Sequence, residues 1–92
     1  MERHEQTVKV VNPLGLHARA AAQLVKLTAR MRCEVLLESE GQAVNGKSIM
    51  GVLTLAAAQG CDVTVTCTGE QAAESLAQIA ELFRLGFHEL SP

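Results

Sequence analysis

The sequence predicts an α+β fold, an open-faced β-sandwich in the order β-α-β-β-α-β-α, with a four-stranded antiparallel sheet covered on one face by three helices. Two patterns and one compositional fact lead there. Stretches with a period of two alternate with stretches whose apolar residues recur every three or four positions. Hydrophobic residues make up 48% of the chain, yet only Phe83 and Phe87 are aromatic. The core must therefore be built from Ala, Val, Leu and Ile, side chains that let helices lie close on a sheet. At 92 residues the chain is expected to form one domain, residues 1–92. Folding at this size buries roughly 60 to 70% of the unfolded chain's surface, enough to need no disulfide or structural metal.

Residues 7–11 place Val8 and Val10 on one face of a first strand, which Asn12-Pro13-Leu14-Gly15 ends. From Ala18 to Met31 the residues Ala21, Leu24, Val25 and Met31 form an apolar stripe opposite Gln23, Lys26 and Arg30, predicting a helix. Cys33, Val35 and Leu37 then alternate with Glu34, Leu36 and Glu38. Glu40-Gly41 suits the turn of a hairpin whose return strand covers residues 42–45. Ser48 stands where an N-cap would, ahead of a short helix running towards Ala57, and Gln59-Gly60 stops it. Cys61, Val63, Val65 and Cys67 alternate with Asp62, Thr64, Thr66 and Thr68, the cleanest period of two in the chain, so this strand should be central. Beyond the Thr68-Gly69 turn, Ala72, Leu76, Ile79, Ala80, Phe83 and Phe87 form the stripe of a long final helix.

Several functional classes are disfavoured. Eight basic against ten acidic residues lack the surplus of Lys and Arg that a nucleic-acid backbone demands. No stretch of ~18 apolar residues occurs and the N-terminus is polar, so neither membrane insertion nor a signal peptide is expected and the protein is read as cytoplasmic. Cys33, Cys61 and Cys67 form no C-x-x-C pair and have no His at ligand spacing, so no metal site and no cofactor are expected. Gly46-Lys47-Ser48 echoes the end of a phosphate-binding loop, but Gly41 lies outside the G-x-x-x-x-G-K-[ST] frame. His4 and His88 lie in polar terminal segments and are read as solvated.

His17 is the residue with chemical promise. It immediately precedes the first helix, beside the N–H groups that a helix's first turn leaves without partners. Those amides favour an anion. The positive end of the helix dipole should disfavour imidazolium, leave a nucleophilic ring nitrogen and stabilise a phosphoryl group once attached. Arg19 can add a bidentate contact to the same oxygens. On spacing alone, a His that merely precedes a helix beside a solvated Arg accounts for the same residues.

Gly15-Leu16-His17-Ala18-Arg19, followed by Ala21-Ala22 and an amphipathic helix, resembles the active-site motif of the HPr family, small phosphocarriers of the bacterial phosphoenolpyruvate-dependent phosphotransferase system. Lys47-Ser48-Ile49-Met50-Gly51-Val52 resembles the family's second motif, around its regulatory serine. The resemblance runs from about Gln6 to about Gly86. It implies a carrier rather than an enzyme, which accepts phosphoryl on the Nδ1 of His17 from Enzyme I and passes it to enzyme IIA domains. Arg19 is then the charge partner and Ser48 the candidate site for a Ser kinase/phosphorylase. Partners would dock on the first two helices through Ala22, Ile49, Met50 and Leu53, with Lys26 and Lys47 on the rim, and the protein is expected to be a monomer. In the family the last strand lies between the first and second, which would bring Cys67 near Cys33; all three cysteines are expected to behave as small core hydrophobes. One departure stands out: the family usually has Pro after the Arg, where this chain has Ala20, so the helix's first turn loses a fixed φ.

Two other functions compete. A regulatory binding protein could act through phospho-Ser48 on a transcription factor or other effector, and would not need His17. A small hydrolase could use His17, but no Asp, Glu or Ser near it in sequence completes a nucleophile and base pair, so its partner would have to arrive through the fold. The sequence leaves open whether the acceptor belongs to sugar uptake or to a regulatory, nitrogen-type branch.

Overall fold

The computed structural model describes residues 1–89, so residues 90–92 of the expected domain lie outside it. Four strands, β1 (Arg3–Lys9), β2 (Glu34–Ser39), β3 (Gln42–Asn45) and β4 (Asp62–Thr68), form one antiparallel sheet in the order β1-β4-β2-β3. Helices α1 (Ala18–Thr28), α2 (Ile49–Leu55) and α3 (Ala72–Arg84) and a short 3₁₀ turn, Gly86–His88, complete the described chain. This is the expected open-faced α+β fold, with β4 central. Val35, Leu37, Val63, Val65 and Cys67 are buried, whereas Glu34, Leu36 and Glu38 on the opposite face of β2 are exposed. The apolar alternation therefore settles which face of the sheet meets the helices. Glu40 and Gly41 both take positive φ, 50° and 81°, as the two-residue hairpin between β2 and β3 requires.

Four boundaries differ from the sequence reading, each for a physical reason. β1 spans Arg3–Lys9 instead of 7–11, because Arg3 to Gln6 pair with Thr68 to Val65 of β4. These residues are exposed, so backbone pairing extends the strand where no apolar alternation marks it. Helix α1 ends at Thr28, three residues before Met31. The Thr28 hydroxyl is buried and donates to the Gly46 carbonyl at 2.8 Å, tying the helix end to the segment between β3 and α2. Helix α2 stops at Leu55 because Ala56 turns into the left-handed region, φ 52°. The last helix breaks after Arg84, yet Phe87 at φ 55° still delivers its ring to the core, edge-on to Phe83 with centroids 5.0 Å apart.

The cysteines divide. Cys33 and Cys67 are buried neighbours on the helix side of the sheet, and burial together with Cys33 pushes the Cys67 thiol up to about 12. Cys61 is only half-buried, with its sulfur 3.9 Å from a Glu40 carboxylate oxygen, so the expectation of three core cysteines is corrected to two. Cys61 immediately precedes β4 and packs against the margin of the core.

Candidate functional site

The segment between β1 and α1 is shaped by Gly15 and Asn12. Gly15 takes φ +66°, and a Cβ on it would lie 2.5 Å from the Ala57 carbonyl oxygen. Only glycine lets the chain pass so close to the end of α2. The next residue, Leu16, is buried and donates its N–H to that same carbonyl at 2.9 Å. Asn12 is wholly buried and its side-chain NH2 donates to the Gly15 carbonyl at 2.8 Å. The turn is thus pinned on both sides of Gly15, and His17 follows it in a fixed position.

His17 is the N-cap residue of α1, with extended backbone, φ −76° and ψ −179°. Its carbonyl accepts the helix's first hydrogen bond from the Ala21 N–H, while its side chain caps nothing. The amides of Ala18, Arg19 and Ala20 precede that first bond and have no intrahelical acceptor. No acidic residue stands in the first turn of α1, so nothing of negative charge on the helix itself competes for them. Ala20, where the resembled family has Pro, is fully buried and continues the helix.

The imidazole is held from the far end of the chain. Its Nε2 lies 2.5 Å from Oε2 of Glu89, a residue 72 positions away, with side-chain exposures of 25% for His17 and 13% for Glu89. The other Glu89 oxygen accepts from the Asn12 NH2 at 3.0 Å. A carboxylate is an acceptor, so Nε2 supplies the proton of this bond, and Nδ1 makes no hydrogen bond among the described residues. In the neutral ring Nδ1 is then the nitrogen with the free lone pair. Desolvation pushes the Glu89 carboxyl up, but the Asn12 amide, His17 and the Arg19 charge together outweigh it and hold the group below its usual range. Arg19 itself is exposed and makes no ion pair among the described residues.

The Asn12 amide carries a cost. Its carbonyl oxygen is buried without a partner among the described residues, and such an unsatisfied group costs about 1–3 kcal/mol. Turning the amide over would aim that oxygen at two acceptors, the Gly15 carbonyl and the Glu89 carboxylate, so the observed orientation is the better of two imperfect ones.

Ser48 is the N-cap of α2, as the sequence suggests, and its hydroxyl accepts from the Gly51 N–H at 3.0 Å. Ala22 and Lys26 are exposed on α1; Ile49 and Met50 are 44% and 73% exposed on α2, while Leu53 is half-buried. Lys47 departs from its expected place on a rim. It is half-buried, and its ammonium donates to the Met31 carbonyl at 2.7 Å, which ties it to the chain just beyond α1. Leu14, three residues before His17, is 71% exposed and escaped the sequence reading, which took the turn only as a breaker. His4 and His88 are exposed.

Glu89 and Asn12 are the residues beside His17 that sequence reasoning missed. A faint signal existed in Gly86, which suits the end of a helix and a change of chain direction that could bring a nearby carboxylate back to the core. Among the described residues no three His, Cys, Asp or Glu side chains converge on a possible metal position, and no helix is long and apolar enough to cross a membrane.

Comparison with known proteins identifies the family. The sequence model of the family described as "PTS HPr component phosphorylation site" matches residues 4–84. Phosphocarrier protein HPr of Xylella fastidiosa is 44% identical over 89 residues, covering 97% of this chain and 98% of its own. Phosphocarrier protein NPr of Escherichia coli is 41% identical over 86 residues, covering 92% of this chain and 96% of its own. Among solved structures, that of HPr-C-His from Thermoanaerobacter tengcongensis superposes with a TM-score of 0.91 at 32% identity, over 96% of this chain and 99% of that one.

Proposed function

Since the chain belongs to the HPr family and is a phosphocarrier of the phosphotransferase system rather than an enzyme, we propose that His17 accepts the phosphoryl group from Enzyme I on Nδ1 and passes it to an enzyme IIA domain. The observation that carries this reading is the held imidazole: Nε2 is engaged by Glu89 while Nδ1 is left free at the amide end of α1. The Nδ1 lone pair forms the bond to phosphorus, and the bond between phosphorus and the donor's leaving atom breaks with its electrons going to the donor. Free amides of the first turn of α1 and the Arg19 guanidinium then share the negative charge of the transferred group. The proton on Nε2 stays in place throughout.

Partners would dock over the exposed residues Ala22, Ile49 and Met50, with Leu53 and Lys26 at the margins, and Leu14 extends the apolar surface near His17. Lys47 contributes there through its stem, its ammonium being committed to Met31. Ser48 is the proposed site of a regulatory kinase and phosphorylase, because it heads the helix that carries Ile49 and Met50. The same position supports a second reading, in which phospho-Ser48 recruits an effector directly. We place the carrier in the cytoplasm as a monomer, a single domain of residues 1–92.

The test is incubation with phosphoenolpyruvate and Enzyme I. One phosphoryl group per chain is expected, in a bond labile to acid and stable to alkali, as befits a phosphoramidate. Unchanged labelling of a His17→Ala variant would overturn the assignment.

A further inference from the structure

We propose that Glu89, oriented by the buried Asn12 amide, is the positioning residue that decides which imidazole nitrogen of His17 takes the phosphoryl group. The proposal rests on His17 being the acceptor and adds what makes it select Nδ1. An imidazole attached only through its Cβ can rotate, and its two nitrogens are comparable nucleophiles whose availability depends on where the proton sits. Here one carboxylate oxygen fixes Nε2 at 2.5 Å, and the other is fixed at 3.0 Å by an amide that is itself fixed at 2.8 Å to the Gly15 carbonyl. The series runs from the turn that shapes the site, through Glu89, to the ring. Each member removes a rotation from the next, so the ring's orientation and its proton are set together. This is the arrangement by which a ligating or nucleophilic His has its tautomer chosen by an outer carboxylate.

Two further features argue for a built contact. Glu89 reaches His17 only because Gly86, Phe87 and His88 all take positive φ, and the Phe87 ring is buried in the core and anchors that turn. In the orientation that serves Glu89, the buried Asn12 carbonyl has no partner among the described residues. The contact has a consequence for charge as well. When Nδ1 bonds to phosphorus and Nε2 keeps its proton, the ring becomes a cation, and Glu89 is the carboxylate facing it.

A small donor tests this without any partner protein. Phosphoramidate transfers phosphoryl to imidazole nitrogen as its own P–N bond breaks and ammonia leaves. Phosphorus NMR of the product distinguishes the Nδ1 from the Nε2 isomer. The parent protein is expected to yield the Nδ1 isomer, Glu89→Ala a mixture in which the Nε2 isomer is plainly present, and Glu89→Gln, which retains an acceptor oxygen, a return towards Nδ1. Asn12→Ala should shift the ratio in the same direction as Glu89→Ala, by less. A Glu89→Ala product that is wholly Nδ1, or a parent product carrying Nε2, would overturn the proposal. Nitrogen-15 spectra of the unreacted ring give an independent readout: an Nε2 proton protected from water is expected in the parent and lost in Glu89→Ala, and a parent proton on Nδ1 would also overturn it. If Enzyme I fails to label a protein that phosphoramidate labels on Nδ1, the partner assignment fails and the role of Glu89 stands.

Discussion

The N-termini of α1 and α2 are built from similar stretches, each a polar residue in extended conformation ahead of an apolar helix, but they treat their free amides in opposite ways. At α2 the Ser48 hydroxyl accepts from the Gly51 N–H, so the cap is closed within the helix. At α1 the His17 side chain makes no bond to its own helix and meets Glu89 instead, and among the described residues no side chain accepts from the amides of the first turn. A closed cap stabilises a helix; an open one is a place for an anion. On the proposed function the two ends serve different tasks, because an imidazole that accepted from its own helix end could not also keep that nitrogen free to react.

The largest expected effect falls on the closed cap. A phosphate on Ser48 adds about −1.5 to −2 charges beside Ile49 and Met50, where unfavourable like-charge or desolvating contacts in an interface can cost several kcal/mol. Enzyme I affinity, measured by calorimetry on the enzymatically phosphorylated Ser48 form, should fall at least tenfold, with thermal stability kept because the added charge lies at a helix N-terminus. Equal affinity for both forms would leave Ser48 as a cap and no more. Next is the open end. Arg19→Ala removes a charge-assisted contact worth about 1.5–3 kcal/mol, so transfer from Enzyme I should slow roughly tenfold or more without loss of structure, since Arg19 is outside the buried stripe of α1. Rapid-quench kinetics at saturating Enzyme I check this, and transfer at the parent rate would remove Arg19 from the site. The smallest effect concerns stability alone. Ser48→Ala should lower the unfolding free energy by about 1 kcal/mol in urea, the usual loss for a side-chain cap. No change would mean that the bond to Gly51 contributes little.

How much of this could be read in advance follows from where each contact is made. Elements with a half-buried face were legible, β4 best of all, because Val63, Val65 and Cys67 write the sheet's inner face into consecutive odd positions. The N-terminal half of β1 was not, because an edge strand exposed on both sides is held by its backbone and leaves no pattern in its side chains. The end of α1 was misplaced because Met31 continues the apolar spacing, while the event that ends the helix is a hydroxyl contact from Thr28 to a carbonyl 18 residues away. Likewise Phe87 keeps the stripe of α3 although the helix has stopped, since a left-handed turn at Gly86 happens to return its ring to the same core.

The site divides along the same line. His17, Arg19 and Ser48 could be singled out because the roles proposed for them depend on position relative to a helix start, a local property. Glu89 could not, because it stands 72 positions from His17 and only the fold brings it there. Asn12 read as part of a turn, and its amide became significant only once the carboxylate was beside it. A chain of three side chains drawn from two ends of the sequence leaves no spacing to recognise.

The distinction between the open and closed helix ends is tested most directly by following backbone amides as the protein is charged. Nitrogen-15 correlation spectra recorded before and after addition of phosphoenolpyruvate and a catalytic amount of Enzyme I should show the largest shifts at Ala18, Arg19 and Ala20, with the Gly51 amide unmoved in its bond to Ser48. Shifts centred on Gly51, or phosphorylation that leaves the amides of Ala18 to Ala20 where they were, would contradict the account.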